Sequence, residues 1–354
     1  MTPQQLTDKA LVLLEQLISI QSFSGEEDKT ADAIQDWFMS FNIPYEREKN
    51  NVYAKNKYWD DGKPTLLLNS HHDTVKPNSA YTRDPFHPHI EDGKLYGLGS
   101  NDAGGSLVSL LATFSHFYAS KKLNHNILMV ASMEEESSGP NSLHGLLPNL
   151  PKIDVAIVGE PTLMKLAVAE KGLVVFDAEV QGTPSHAAHP NDDNAIYNTI
   201  KVLEWFKNYK FERVSDVLGE VKMTVTQIKA GSQHNVVPEK VHLVIDVRVN
   251  DKYTNQEITA ILKGVAPCDL KERSLRLNSS SIDLNHPLVQ SGIALGMETY
   301  GSPTLSDQAA LTCQSLKLGP GDSTRSHSAD EYIYVHEIEE GIKLYIKILE
   351  GFLH

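Results

Sequence analysis

The chain has 354 residues, 40% hydrophobic and 22% charged, and its 32 Lys and Arg against 46 Asp and Glu give a formal net charge of −14 with His neutral. These are ordinary globular proportions for about two domains, and they exclude a disordered or fibrous chain. An acidic chain without a basic block is a poor nucleic-acid or anionic-membrane binder, and no apolar run approaches the ~20 residues needed to span a bilayer.

The first element reads as a helix. Thr2 suits the N-cap, Pro3 the first helical position, and Gln5 completes a capping box before Leu11, Leu14, Leu17 and Ile18 at helical spacing. Ser24 and Glu27 repeat the box pattern before a second helix through Ile34, Trp37 and Phe38. Short apolar runs follow at 65–69 (TLLLN), 126–133 (NILMVASM) and 153–158 (IDVAIV). Runs of this kind suit strands buried on both faces of a helix-covered sheet. A helical stretch at 107–117 lies between the first two, and 336–352 places Ile338, Ile342, Tyr345, Leu349 and Phe352 on one helical face.

The middle of the chain has a different pattern. Residues 174–181 alternate as a strand, and Asn194 can cap a helix carrying Ile196, Ile200, Leu203 and Phe206. Strands are expected at 221–228 and 241–249. A helix follows from Thr254 or Asn255 through Ile258, Ile261 and Leu262, and a last strand falls at 270–277. The order β-α-β-β-α-β is that of a ferredoxin-like layer. The expected architecture is therefore an α/β catalytic domain, residues 1–170 and 279–354, with a mixed, mostly parallel sheet covered by helices. A ferredoxin-like α+β domain at 171–278 interrupts it.

Metal-binding side chains follow each buried strand. His71, His72 and Asp73 come after the first, Glu134, Glu135 and Glu136 after the second, and Glu160 after the third. Open α/β sheets place their sites at the carboxyl ends of strands. Asp102, in the turn GLGSNDAGG, and His327, in RSHSADEY, add two more. The two cysteines, Cys268 and Cys313, lack CxxC spacing, so no thiolate site or disulfide framework is expected and a reducing cytoplasm suits them. The opening MTPQQLTDKALVLLEQL has no basic segment before an apolar core and does not read as a signal peptide. Imidazole and carboxylate without thiolate suit hydrolytic zinc, and such a set could hold two metals ~3.5–4 Å apart. Any one of these motifs alone is more often a solvated loop or a structural histidine; their joint placement at strand ends is what points to a site.

The segments SHHDTVKP (70–77), DPFHPHIEDGKLYGLGSND (84–102), EEES (134–137), VGEPT (158–162), GTPSHAAHP (182–190), HNVVP (234–238) and HSADEY (327–332) occur in this order. The set resembles the zinc-dependent aminoacylase and carboxypeptidase family of metallohydrolases, within it the acetylornithine deacetylase and succinyl-diaminopimelate desuccinylase group. The resemblance implies the fold above, with the inserted domain commonly forming a homodimer. It implies two zinc ions, with cobalt or manganese as substitutes. His71 and Glu160 would ligate one and Glu136 and His327 the other, with Asp102 bridging and Asp73 behind His71. It also implies a candidate cis peptide after Asp102. Aligning EEES on the family motif makes Glu135 the general base, with Glu134 left open as the alternative. His186 would donate to the oxyanion. Arg248, Asn235 and, more weakly, Arg325 would contact substrate, although Arg248 could instead pair with Asp246 or Asp177. His72, His87, His89, His125, His144 and His189 read as structural or surface residues. Leu98, Ala103 and Gly104 depart from the family pattern, which bears on the pocket and not on the ligands.

The activity implied is hydrolysis of the amide of an N-acyl amino acid, first among them N-acetyl-L-ornithine in arginine biosynthesis. N-succinyl-ornithine, N-succinyl-diaminopimelate and dipeptides are the alternatives. A non-catalytic relative would be expected to have lost at least one ligand or the base, and all are present. The expected partner is a small-molecule N-acyl amino acid, with no nucleic acid and no membrane.

Overall fold

The computed structural model describes residues 1–354. The chain divides into two compact units, Met1–Val168 with Ser281–Tyr300 and Ser306–His354, and Ala169–Ser280 with Gly301–Leu305. Residues 301–305 thus go with the second unit, whereas the sequence reading kept all of 279–354 in the first; Lys171 N donates to Ser302 O at 3.1 Å.

In the first unit the expected buried strands form Thr65–His71, Asn126–Ser132 and Val155–Val158. They pair in parallel, with Thr65–His71 in the middle. The larger sheet runs in the order Glu46–Glu48, Asn51–Lys55, Asn126–Ser132, Thr65–His71, Val155–Val158, Gln314–Lys317, Leu166–Glu170, Ser280–Ser281, and its pairings are mixed. Leu66 and Leu68 enter the larger core, while Leu67 enters a smaller one with Leu128, Val130 and Ala156. Both faces are therefore covered, which is why these strands read as continuous apolar runs.

The larger core takes the helices Pro3–Ile18, Asp28–Ser40, Gly105–Phe117 and Val335–Leu353. The first has the expected capping box, Thr2 Oγ1 accepting from Gln5 N and Gln5 Oε1 from Thr2 N. The second does not. Its N-cap is Glu27, with no side-chain cap hydrogen bond. Ser24 and Glu27 are used elsewhere, as described below. No helix is long and apolar enough to cross a membrane.

The second unit carries a four-stranded antiparallel sheet in the order Lys222–Ala230, Lys240–Val249, Gly172–Gln181, Asp269–Glu272. The last strand is shorter than the 270–277 expected. Helices Ala195–Asn208 and Asn255–Val265 pack on it, capped by Asn194 and by a Thr254–Glu257 capping box. Val174, Phe176, Ala178 and Val180 face inward with Val241, Leu243, Ile245, Val247 and Val249. One helix face differs from expectation. Ala195, Thr199, Val202 and Phe206 are buried, while Ile196 and Ile200 are 44% and 55% exposed. Both sets satisfy helical spacing, and contact with the sheet selects the one that includes the small Ala195 and Thr199.

Candidate metal centre

The parallel pairing brings three strand ends to one edge of the sheet. His71 closes its strand, Glu134–Glu136 follow Ser132, and Glu160 follows Val158 by two residues. Asp102 arrives from the turn before Gly105–Phe117, with the Asp102–Ala103 peptide in cis. His327 arrives from the segment before the strand Tyr332–Tyr334.

His71 is buried, and its Nδ1 lies 3.0 Å from the main-chain oxygen of Asp73. The Asp73 carboxylate is farther, at 3.4 Å. An Nδ1–H bonded to that carbonyl leaves Nε2 as the free lone pair. Nε2 is buried with no hydrogen-bond partner. Around it stand Asp102 Oδ1 at 3.4 Å, Glu160 Oε1 at 3.8 Å and Glu135 Oε2 at 4.0 Å. Asp102 Oδ2 faces the other way, 3.7 Å from His327 Nε2, which lies 3.0 Å from Glu136 Oε2. Asp102 therefore stands between two imidazoles, each with its own glutamate. Ligand atoms of His71, Asp102 and Glu136 lie within 4.8 Å of one another.

The electrostatics ask for cations. Burial pushes Glu135 well above the usual carboxylate range, partly offset by His71 and reinforced by Glu160, Asp307 and Glu136. Burial pushes Glu160 up to about 8 and also raises Glu136. The hydrogen bond to Glu136 lifts His327 to about 9. For His71, burial disfavours the charge, but Asp102, Asp73, Glu135 and Glu160 raise its pKa well above the usual value. Burial also opposes charge on Asp102, yet His71 and His327 hold it below its usual value. Buried carboxylates at this density either take up protons or hold metal ions. The orphaned Nε2 of His71 and the all-nitrogen-and-oxygen donor set fit divalent ions of the zinc type.

The three glutamates separate by conformation. Glu134, at φ 54°, turns away; its carboxylate accepts from Asn141 N at 2.9 Å and Asn141 Nδ2 at 2.8 Å. Glu135 faces His71 and Glu136 faces His327. Asp73 holds this turn, Oδ1 accepting from Glu135 N at 3.0 Å and Oδ2 from Glu136 N at 3.1 Å.

Sequence reasoning missed the groups that hold Asp73 and the Glu turn. Ser24 Oγ donates to Asp73 Oδ2 at 2.6 Å, and Glu27 Oε1 accepts from Gly25 N at 2.7 Å and Glu134 N at 3.2 Å. The pattern at 24–27 reads as a local capping box, but Ser24 and Glu27 reach residues 49 and 107 positions away. Asp307, buried and pushed by burial up to about 6, accepts from Ser132 Oγ at 2.6 Å. Nothing in its spacing marked it.

The remaining candidates have hydrogen-bond or ion-pair partners of their own. Arg325 forms a two-point pair with Glu337 at 2.7 and 3.0 Å. Arg248 forms a two-point pair with Asp246 at 2.9 and 3.0 Å, one of the alternatives left open, and Asp177 pairs with Arg273. His186 and Asn235 belong to the second unit. His186 pairs with Val236 in a short ribbon, its Nδ1 accepting from Ala188 N at 3.1 Å, and Asn235 O accepts from Ala187 N at 3.0 Å. His72, read as structural, lies between Asn50 O and Thr30 Oγ1, both at 2.9 Å, and burial lowers it to about 4.

A family model described as Peptidase family M20/M25/M40 matches residues 67–351. The chain is 27% identical over 370 residues to an acetylornithine deacetylase of Shigella sonnei (strain Ss046), covering 95% of this chain and 96% of that one. It is 25% identical over 375 residues to a succinyl-diaminopimelate desuccinylase of Wolbachia pipientis wMel, covering 97% and 93%. Among solved structures, a tripeptidase from Staphylococcus aureus subsp. aureus Mu50 superposes with a TM-score of 0.78 at 19% identity, covering 97% of this chain and 98% of that one.

Proposed function

Because the chain belongs to the peptidase family M20/M25/M40 and is a metal-dependent hydrolase, we propose that it hydrolyses the amide of an N-acyl amino acid, with N-acetyl-L-ornithine as its substrate. The observation that carries the reaction type is the unpartnered Nε2 of His71 within 4.0 Å of Asp102, Glu160 and Glu135. His71, Glu160, Asp102, Glu136 and His327 would hold two zinc ions. When bound, the ions supply positive charge that acidifies water and polarises the scissile carbonyl.

The chain's own groups do the rest. Glu135 is the carboxylate of the EEES turn that faces His71 while its neighbours are tied to Asn141 and His327. In the proposed mechanism it takes a proton from water as the oxygen attacks the amide carbon. It then returns that proton to the nitrogen as the C–N bond breaks, giving a carboxylic acid and an amine, which at neutral pH are the carboxylate and the ammonium ion. Asp73 orients the turn that carries Glu135. His186 would donate to the oxyanion from Nε2, since its Nδ1 already accepts from Ala188 N.

One observation favours a neutral acyl group. The arginines of the first unit, Arg47, Arg83 and Arg325, are each in an ion pair, with Asp32, Glu91 and Glu337 respectively, so a succinyl carboxylate would find no unpaired guanidinium among them. The test is a side-by-side assay of N-acetyl-L-ornithine and N-succinyl-L-ornithine, with and without a chelator. Chelator-sensitive release of ornithine from the acetyl substrate supports the proposal. Turnover of the succinyl substrate alone would reassign the acyl group, and turnover of neither would reject ornithine.

The same reading includes a homodimer formed through the second unit, in a cytoplasmic protein. Ile196, Tyr197 and Ile200, 44%, 68% and 55% exposed on one helix, form the apolar face such a contact would bury.

A further inference from the structure

The carboxylate of Glu331 is buried at 1% exposure and lies at the Asp102 turn. Its Oε1 accepts from Asn101 N and Asp102 N, both at 2.9 Å, and its Oε2 accepts from Gly99 N at 3.1 Å. Three main-chain N–H groups converging on one carboxylate make a cradle of the kind that holds anions, here filled by the protein's own side chain. The backbone of Glu331 is tied to the same loop, its carbonyl accepting from Gly97 N at 3.0 Å, and Tyr332 pairs with Tyr96 in the adjoining strands. The loop could not adopt this turn with a larger residue at 99: Gly99 has φ 75°, and a Cβ there would meet Thr74 Cγ2 at 2.6 Å.

Glu331 lies four residues after His327. We propose that Glu331 is a positioning residue for the metal centre, its carboxylate fastening the Gly99–Asp102 turn to the segment that carries His327 and so setting the separation of the Asp102 and His327 ligand atoms. This inference rests on the reading of Asp102 and His327 as metal ligands. The reason is geometric. Asp102 approaches His327 from another part of the chain, and no hydrogen bond joins their side chains at 3.7 Å. A charged acceptor is the strongest available tie for main-chain donors, and the three bonds leave that turn little freedom to rotate.

The test compares Glu331→Gln with wild type and with Asp330→Asn, the latter altering a neighbour whose carboxylate serves Thr82 N and Arg83 N instead. The readouts are Zn²⁺ affinity, the visible spectrum of the Co²⁺-loaded protein, amide exchange at 99–102, and kcat and KM. For Glu331→Gln, affinity of one site and kcat should fall by about 10–100-fold with KM unchanged. The Co²⁺ spectrum should shift and amides 99–102 should exchange faster, while Asp330→Asn matches wild type in affinity and spectrum. Wild-type affinity, spectrum and kcat in Glu331→Gln would overturn the proposal, as would an equal loss in Asp330→Asn. If Glu331→Gln is not recovered folded, Glu331→Asp withdraws the same charge by one methylene and is judged by the same outcomes. Failure of the wild-type protein to bind Zn²⁺ would instead sink the proposed function, and amide exchange alone would then decide whether Glu331 holds the turn.

Discussion

Asp73 Oδ1 accepts from the main-chain N–H of Glu135 at 3.0 Å, across 62 positions of sequence. One strand end thereby places the residue that faces His71 from the next. Asp73 was expected to serve the imidazole of His71, yet that imidazole lies closer to the Asp73 carbonyl, and the carboxylate reaches forward to the Glu turn.

Asp73→Asn should therefore act through Glu135 and Glu136. An amide offers one acceptor oxygen where the carboxylate offers two, so an N–H of the Glu turn loses its acceptor. A fall in kcat of about 10–100-fold with folding retained is expected. Steady-state kinetics alongside metal analysis checks this; unchanged kcat would remove Asp73 from the machinery.

Glu135 and Glu134 should separate cleanly. Glu135→Gln should keep the bound metal and lose about 10²–10⁴ in kcat, because the proton acceptor is removed and the ligands remain. Glu134→Gln should retain most activity but melt earlier, because its bonds to Asn141 then lose their charge. The reverse pattern in kcat would move the base to Glu134.

The metal-free protein should lose stability as pH rises. Burial raises Glu160 to about 8 from 4.5 and also raises Glu135 and Glu136. A group whose folded pKa is raised binds its proton more tightly in the folded state. Its contribution is full below about 4.5 and is lost as pH rises through the folded value. Tm of the metal-free protein should thus fall between about pH 5 and 8, and Zn²⁺ should remove the fall by binding the ionised carboxylates. Calorimetry at several pH values with and without Zn²⁺ measures it, and a rising Tm without metal would contradict the sign.

His186→Ala should lower kcat by about 10²–10³ at unchanged metal content, the usual effect of removing an oxyanion donor. Equal kcat in variant and wild type would place His186 outside the reaction.

Ile200→Glu should convert a dimer to a monomer, since it introduces a charge into the exposed apolar face beside Ile196. Sedimentation of both proteins decides. A dimer that survives the change forms elsewhere.

The amino-acid sequence by itself determined the layers and the ligand types. Thr65–His71, Asn126–Ser132 and Val155–Val158 were legible because burial on both faces demands unbroken apolar runs, and Lys240–Val249 because burial on one face demands alternation. The clustering of His71, Asp102, Glu136, Glu160 and His327 was legible because few residue types bind metal and these followed strand ends or a glycine-rich turn in a recognisable order. Gln314–Lys317 was not legible, since a four-residue strand ending in a buried Lys317 has neither signature and is selected by pairing with Val155–Val158 on one side and Leu166–Glu170 on the other. Tertiary structure decided the rest. It turned Ser24 and Glu27 from a helix cap to the supports of Asp73 and the Glu turn, separated Glu134 from Glu135, and paired Arg325 with Glu337. It also brought Glu331 to the Asp102 turn. Each of these depends on hydrogen bonds between residues distant in sequence or on the turn of a single backbone torsion, and local residue patterns carry no record of either.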